Sequence, residues 1–310
     1  MSDKPLVLRL SDLSQQDTAK VGGKNASLGE MIATLDAQGI RVPEGFATTA
    51  AAYWRFIDEN ELRDPIADAM GKLKSDQSNL KAVGAKVRGM IEKARWPEDI
   101  AHAIVEAYDA MRRETGKPKL DVAVRSSATA EDLPTASFAG QLETFLNIRG
   151  HDALLEACRK CYASLFTNRA IAYRERQGFD HLQIALSVGV QQMVRSDKAG
   201  SGVMFSLDTE TGYPGVVLIN AAWGLGETVV QGSVDPDEYH VFKPLLPRAK
   251  PEGPLLPIIE KRRGGKEIKM VYSREKGDEA PARTVETSEK ERAGFVLSDE
   301  EILTLGRWGA

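Results

Sequence analysis

The sequence predicts a protein of mixed helix and sheet, of the α/β or α+β class, with a largely helical first third. Residues 61–115 carry apolar side chains at helical spacing, and short β-branched segments begin at Leu120. Two further helical patterns lie among these predicted strands. We therefore expect a helical lobe over residues 1–118 and a mixed α/β lobe over residues 119–310.

The N-terminal elements follow from local patterns. LVLR (6–9) is typical of a short strand, and GGKNAS predicts a loop that leads into a helix with apolar residues spaced from Leu28 to Leu35. Gly39 is suited to end this helix. VPEGFATT predicts a turn and a short strand, after which Thr48 or Thr49 caps a helix over AAYWRFIDE. The helical region that follows is broken at residues 75–78 and at Trp96-Pro97.

The second part is predicted to contain more strands. LDVAVR and LETFLNI are typical strand segments, helices follow at about 152–166 and 168–177, and further strands are predicted at IALSVGVQQMV, GSGVMFSL, GVVLINAAW and EYHVF. Residues 244–291 are rich in proline, glycine and charge, with one predicted strand at KEIKMVY. A Ser-x-x-Glu capping box at Ser298 predicts a last helix. Since no C-cap follows this helix, we expect the chain to be part of something longer.

Composition excludes several classes of function. The net charge is −4, with 41 basic and 45 acidic residues among 310, so no bulk positive field favours nucleic acid or an anionic membrane. No segment has the ~20 consecutive apolar residues of a membrane span, and the N-terminus does not resemble a signal peptide. Two cysteines are too few for a disulfide framework, which is typical of a cytoplasmic protein.

The cysteines and histidines are predicted to be structural. Cys158 and Cys161 form a CxxC, but the surrounding pattern is helical and apolar, and no further ligands complete a zinc site. The four histidines show no metal-ligand spacing and no pairing with a nucleophile.

The first candidate loop is VGGKNAS, in which Lys24 follows two glycines at a helix start. It does not fit the Walker A pattern. The loop is still suited to bind a phosphate group, because glycines allow backbone N–H groups to approach an anion and the helix N-terminus adds positive potential. The alternative is a solvated lysine after a turn.

The second candidate loop follows LDVAVR, with Arg125 expected at the end of that strand. A guanidinium presents planar donors that suit phosphate oxygens. Ser126, Ser127 and Thr129 offer hydroxyl groups, and small residues up to Gly140 leave room for a ligand. The alternative is an ordinary polar surface loop whose arginine pairs with Glu131 or Asp132.

The third candidate loop is AAWGLGETVVQG. It fails the dinucleotide-binding pattern, because Val229 occupies the final glycine position. Glu227 could bind metal or ribose, or could cap the next segment, and the residues leave both open. Together the three loops favour an anion-binding enzyme part, with a nucleoside triphosphate as the expected ligand.

In this order the motifs resemble the N-terminal, ATP-binding region of the pyruvate phosphate dikinase family, and within it the phosphoenolpyruvate synthases (pyruvate, water dikinases). The resemblance covers essentially the whole chain. It rests on VGGKNASLGEM, VPEGFATTA, VRSSATAEDLPTASFAGQLETFLNI, ASLFTNRAIAYR, VQQMVRS, SGVMFS and GLGETVVQGSVDPDEY. It implies an ATP-grasp-like domain that donates a phosphoryl group from ATP, with Mg²⁺ bridging phosphates, to a histidine on a separate swivelling domain, which then serves a pyruvate-binding domain.

The resemblance also implies roles for individual residues. Lys24 and Arg125 would hold the triphosphate and act in catalysis, Gly140 and Thr144 would approach the nucleotide, and Gln191 would lie near the adenine or the lobe hinge. Gln192 is the neighbouring alternative, on the opposite face of the strand. The family's last strands, its metal-binding acidic residues, its phosphohistidine and its pyruvate-binding domain would follow Ala310. A chain ending there is expected not to turn over pyruvate.

Two alternatives stay open at this point. One is a related phosphotransferase with another acceptor, such as rifamycin. The other is a non-catalytic nucleotide-binding module, the relic of a longer gene.

Overall fold

The computed structural model describes residues 4–129, 143–248, 256–273 and 282–310. The chain divides into two compact units, Met1–Met193 and Val194–Ala310. Both combine helices with antiparallel strands, which confirms the predicted mixed class. The predicted boundary at 118/119 marks a change from helices to strands and lies within the first unit, because strands from both sides of it share one sheet.

The first unit contains five named strands and seven named α-helices in its described residues. The strands are β1 (Val7–Arg9), β2 (Gly45–Thr48), β3 (Val122–Ala128), β4 (Thr144–Ile148) and β5 (Leu186–Gln192). The helices are α1 (Thr18–Leu35), α2 (Ala50–Glu59), α3 (Arg63–Met70), α4 (Leu80–Lys93), α5 (Glu98–Thr115), α6 (His151–Ser164) and α7 (Asn168–Gln177). Of the two threonines predicted to cap α2, Thr49 does so, and its Oγ1 accepts a hydrogen bond from the Ala52 N–H at 3.3 Å.

The five strands form one antiparallel sheet in the order β1-β2-β5-β3-β4. On one face, alternate residues such as Val124 and Val190 join the main core with α2, α4, α5 and α6. On the other face, α1 contacts β3 and β5. A smaller apolar cluster there includes Val21 and Ala26 of α1 and Ala47 of β2. The sheet therefore separates a large helical core from a second face, against which α1 packs.

A buried arginine lies at the end of this helical core. The Arg174 guanidinium is fully buried, and its Nε–H donates to His181 Nδ1 at 2.8 Å while Nη1 donates to the Leu165 carbonyl at 2.6 Å. His181 Nε2 lies 2.7 Å from a Glu175 carboxylate oxygen. Burial, followed by the Arg174 charge, lowers the pKa of His181 below its ordinary value of 6.5.

This arrangement predicts an acid-sensitive contribution to stability. The unfolded chain binds a proton at His181 more readily than the folded chain does. Neutral His181 therefore contributes its full share to the free energy of unfolding above the ordinary histidine pKa, and this share is lost as pH falls below that pKa. We expect the unfolding midpoint of wild type to fall more steeply between about pH 7 and pH 5 than that of His181→Gln. His102→Gln, at an exposed site on α5, is the control and should keep the wild-type slope. Equal slopes for all three proteins would contradict the prediction.

The second unit contains a four-stranded antiparallel sheet and a hairpin. The described strands are β6 (Gly200–Phe205), β7 (Val216–Trp223), β8 (Asp237–Phe242), β9 (Ile258–Arg262), β10 (Ile268–Tyr272) and β11 (Ala282–Glu286). The α-helices are α8 (Glu227–Val230), α9 (Glu289–Ala293) and α10 (Asp299–Gly309). The sheet order is β6-β7-β8-β9, and β10 pairs with β11. The predicted capping box at Ser298 is present, and Ile302 of α10 joins the core of this unit.

A buried ion pair lies in the second unit. Asp237 and Lys266 are both fully buried and paired with each other. The Asp237 carboxylate also accepts hydrogen bonds from the Gly264 N–H at 2.9 Å, the Val296 N–H at 2.8 Å and the Tyr239 hydroxyl at 3.1 Å. This one carboxylate therefore joins the start of β8 to the turn after β9 and to the segment before α10.

Among the described residues, no helix combines the length and the apolar character needed to span a membrane.

Candidate functional site

The helix α1 is broken at Gly22, two residues before Lys24. Gly22 has φ 76° and ψ 161°, and the helical path resumes after it. A Cβ at this position would lie 2.2 Å from Ser127 Oγ and 2.7 Å from the Ser127 carbonyl oxygen. Glycine is therefore required here both by backbone conformation and by the close approach to the end of β3. Lys24 lies in the first turn of the resumed helix and is exposed. The loop predicted over GGKNAS is only a break at Gly22, because α1 already begins at Thr18.

This double requirement gives a stability prediction. Gly22→Ala is expected to lower the free energy of unfolding by about 2–5 kcal/mol, because an unfavourable φ and a steric clash add together. Gly150→Ala is the matched control, since Gly150 has nearly the same backbone conformation (φ 80°, ψ 165°) but nothing lies within 4 Å of its Cβ position. The control should lose only the conformational part, about 1–2 kcal/mol. Equal losses in chemical denaturation would show that the close approach does not matter.

The position of Arg125 differs from the prediction. The expectation that it lies at the end of its strand was wrong, because β3 continues to Ala128 and pairs with β5 along that whole length. All the ladders of this sheet are antiparallel, so the rule that ligands bind at the carboxyl ends of parallel strands does not apply here. Arg125 is nevertheless exposed in the middle of a strand whose neighbouring residues are buried.

The three hydroxyl residues after Arg125 have different surroundings. Ser126 is buried on the core side, where its Oγ donates to the Glu143 carbonyl at 3.1 Å and lies 3.0 Å from Ser164 Oγ. Thr129 Oγ1 donates to the Ala185 carbonyl at 3.2 Å. Ser127 lies on the α1 side, and its buried Oγ has no hydrogen-bond partner in the described part of the chain. Of the three, only Ser127 keeps a polar atom available next to Gly22.

Strand register places several of the predicted residues on one face of the sheet. Arg125 is paired with Gly189 of β5 and with Thr144 of β4, and directly paired residues point to the same face. That face is the α1 side, because a Cβ at Gly189 would lie 2.2 Å from Asn25 Oδ1. Lys24 is the chain neighbour of Asn25. The structure thus brings the backbone of Lys24 close to Arg125, with Thr144 exposed beside them.

Gln191 lies on the same face but is turned inward. It is 7% exposed, and its Nε2 donates to the Pro43 carbonyl at 2.8 Å. It is two residues along β5 from Gly189 and two residues from Met193, where the first unit ends. Gln192 pairs with Val122, which belongs to the helical core, so its side chain lies on the opposite face. Strand geometry therefore favours Gln191 over Gln192 on the α1 side.

The two remaining predicted residues lie elsewhere. Gly140 falls outside the described residues. Glu227 belongs to the second unit, where it begins α8, and its carboxylate accepts a hydrogen bond from Gln231 Nε2 at 2.7 Å. The capping role offered as the alternative for Glu227 is not observed, because the N-cap of α8 is Gly226 and no side chain caps this helix.

The metal-ligating residue types form no ready-made site in the described ranges. No group of three or more His, Cys, Asp or Glu side chains there is arranged to hold a metal ion. Cys158 and Cys161 are buried free thiols, and burial raises the pKa of Cys161 to about 12 and that of Cys158 well above its ordinary range. Their predicted structural role agrees with this environment.

Sequence reasoning did not identify Asn25 and Gly189 as site residues. In the sequence, Asn25 is simply the residue after Lys24 in VGGKNAS, and Gly189 lies inside the predicted strand IALSVGVQQMV. A glycine inside a strand often marks the close approach of another backbone or side chain, and this signal could have identified the pair.

Comparison with known proteins identifies the family. The model of the pyruvate phosphate dikinase AMP/ATP-binding domain matches residues 18–310. The phosphoenolpyruvate synthase of Synechocystis sp. is 53% identical over 308 residues, covering 98% of this chain and 37% of that relative. The corresponding protein of Aquifex aeolicus is 50% identical over 307 residues (99% and 35%), and that of Escherichia coli 46% over 304 residues (98% and 38%). The chain spans little more than a third of the length of these relatives. It belongs to the pyruvate phosphate dikinase family, through that family's AMP/ATP-binding domain.

Proposed function

We propose that this chain is the ATP-binding, phosphoryl-donating part of a phosphoenolpyruvate synthase, with an ATP-grasp-like fold. The complete reaction would convert pyruvate, ATP and water to phosphoenolpyruvate, AMP and phosphate. A phosphohistidine domain and a pyruvate-binding domain would be its partners. The relatives compared above are all phosphoenolpyruvate synthases, which supports pyruvate over rifamycin as the final acceptor.

One observation carries the proposal. Lys24 and Arg125 are distant in sequence, but Asn25, the chain neighbour of Lys24, lies over Gly189, the strand partner of Arg125, on one face of the five-stranded sheet. Lys24 and Arg125 are both exposed, although the residues flanking them in β3 and α1 are mostly buried. A cationic pair beside a glycine break and a helix start is suited to a polyanion.

Each side chain has a separate task in this proposal. The Arg125 guanidinium would donate two parallel hydrogen bonds to phosphate oxygens, and Lys24 would add a compact positive charge. Together they would neutralise charge that develops on the transferred group, while bound geometry aligns it for attack. We propose Thr144, Gly140 and Gln191 as further nucleotide contacts. Glu227 is the least supported of the proposed contacts, because its carboxylate is engaged by Gln231.

Mg²⁺ is proposed as a companion of the ATP phosphates. The described residues offer no cluster of carboxylates that would hold the ion by themselves. Mg²⁺ commonly keeps several waters and is held by phosphates with only one or two carboxylates, and when bound it would neutralise phosphate charge. We also propose a cytoplasmic location, supported by the two free, buried thiols.

Isothermal titration with Mg²⁺ and ATP tests the first part of the proposal. We expect saturable binding of one nucleotide, weakened by Lys24→Ala, and no such binding of pyruvate. Lys20→Ala is the matched control, because Lys20 lies on the same helix and pairs with Asp17 at 2.7 Å. No saturable binding of ATP at millimolar concentration would reject the proposal.

Phosphoryl transfer requires the proposed partner domains. It can be measured in a chimera in which this chain replaces the matching 304 residues of the Escherichia coli relative. We expect AMP formation that depends on pyruvate. ATP turnover that is independent of pyruvate but stimulated by a rifamycin would favour the other acceptor.

A further inference from the structure

Asn25 is a buried polar residue directly after Lys24. It is 2% exposed, and its Nδ2 donates to the Val21 carbonyl at 3.0 Å and to Ser187 Oγ at 2.9 Å. Ser187 Oγ in turn donates to the Thr48 carbonyl at 2.5 Å. The side chain therefore links the two sides of the break in α1 to β5 and, through Ser187, to β2.

The sheet provides a fitted space for this side chain. A Cβ on Gly189 would lie 2.2 Å from Asn25 Oδ1 and 3.2 Å from Asn25 Cγ, so only glycine allows the carboxamide to approach β5 this closely. Gly189 is also the residue paired with Arg125. Paired Cβ positions in an antiparallel ladder are about 5 Å apart, which places the Asn25 carboxamide next to the base of the Arg125 side chain.

Two glycines of α1 also make close contacts, one with β3 and one with the segment between β1 and α1. Gly22 lies against the end of β3, and a Cβ on Gly29 would lie 2.4 Å from the Leu13 carbonyl oxygen. The spacing of four places Asn25 and Gly29 on one helical face, and the contact of Gly22 with Ser127 places it on the same side of the sheet. Glycine contacts limit how closely α1 packs, whereas the directed hydrogen bond from Asn25 to Ser187 also sets the translation of α1 along β5, and the bond to Val21 holds the carboxamide in the required orientation. A buried amide costs free energy unless its partners are met in one geometry, so it specifies that geometry.

We propose that Asn25 is a positioning residue that fixes the part of α1 after the Gly22 break on β5 and thereby holds Lys24 on the Arg125 side of the sheet for the triphosphate. The assignment rests on the proposed function. It concerns the placement of Lys24 and assigns Asn25 no contact with the nucleotide.

A double-mutant cycle with Lys24 tests the assignment, using the Kd for Mg²⁺ and ATP of the complete chain by titration calorimetry. Asn25→Ala is expected to weaken binding about tenfold, and Lys24→Ala about ten- to a hundredfold. The double variant should bind within about twofold of Lys24→Ala alone, because a positioning residue has no effect once the positioned group is gone. Lys20→Ala remains the control and should leave the Kd unchanged.

A second variant disturbs the contact between Asn25 and Gly189 without altering Asn25. Gly189→Ala places a methyl group against the Asn25 carboxamide and should weaken binding about as much as Asn25→Ala. Truncation of Asn25 opens the space for that methyl group, so the variant with both changes should bind ATP no more weakly than Asn25→Ala. Titrations are made below the unfolding midpoint of each variant, with near-ultraviolet circular dichroism as the check on folding.

The outcomes separate this assignment from the proposed function. A wild-type chain that does not bind ATP overturns both. Wild-type binding together with an unchanged Kd for Asn25→Ala, or with additive effects of the Lys24 and Asn25 changes, overturns the positioning role and leaves the proposed function standing.

Discussion

Replacement of Arg125 by alanine is expected to slow phosphoryl transfer from ATP in the chimera by about a hundred- to a thousandfold, by analogy with the loss of one preorganised oxyanion donor. A guanidinium that stabilises developing phosphate charge contributes mainly in the transition state, so the loss should appear in kcat as well as in the affinity for ATP. Arg125→Lys should recover only part of the rate, because an ammonium cannot form two parallel bonds. The measurement is AMP formation at saturating ATP.

The control for this experiment is Arg9→Ala. Arg9 is an exposed arginine at the end of β1 in the same sheet, but it pairs with Phe46, which belongs to the helical core on the opposite face. It should leave the rate of transfer within about twofold of wild type. Both variants should keep the wild-type unfolding midpoint within a few degrees. An Arg125→Ala chimera that transfers phosphate at the unaltered rate would remove Arg125 from the site.

Replacement of Asp237 by alanine is expected to lower the free energy of unfolding of the second unit by about 3–5 kcal/mol, because it leaves the buried Lys266 charge without a counter-ion. Lys266→Met should cost less. The Asp237 carboxylate would keep three other donors, from the Gly264 and Val296 backbones and the Tyr239 hydroxyl. The double variant should lose less than the sum of the two single losses, since the isolated charge is gone. Hydrogen exchange followed by mass spectrometry measures the second unit separately from the first.

An exposed ion pair of the same unit provides the comparison. Lys261 Nζ lies 2.6 Å from Asp299, whose side chain is 68% exposed. Asp299→Ala should therefore cost no more than about 1 kcal/mol. If the losses in free energy of unfolding for the Asp237 and Lys266 single variants add up to that of the double variant, the two buried charges do not stabilise each other.

The pattern of apolar residues was sufficient to predict most elements. The helices after Trp96 and Ser298 and the two after Gly150 were predicted close to their observed bounds, because each combines helical periodicity with a capping signal or a breaker. The phosphate-suited features of VGGKNAS were also visible in sequence, because the glycine break, the lysine and the helix are adjacent along the chain.

Two kinds of feature were missed. β9 and β11 lie in the charged region 244–291, where one strand was predicted, and their side chains are mostly exposed. Such strands are specified by backbone pairing with β8 and β10, so they carry little apolar signal. Lys266 shows the reverse case. A lysine next to two glycines in a charged stretch predicts an exposed side chain, yet it is fully buried because Asp237, 29 positions earlier in the chain, neutralises it.

By itself the sequence determined the mixed class, most of the helices, the candidate cations Lys24 and Arg125, and the resemblance to a family, because these depend on local pattern and motif. Only the tertiary structure decided which side chains share a face. The antiparallel register of β3 with β5 places Gly189 opposite Arg125 and under Asn25, and it turns Ser126 away into the core. Register depends on pairing between segments about sixty residues apart, and a shift by one residue would move every side chain to the other face.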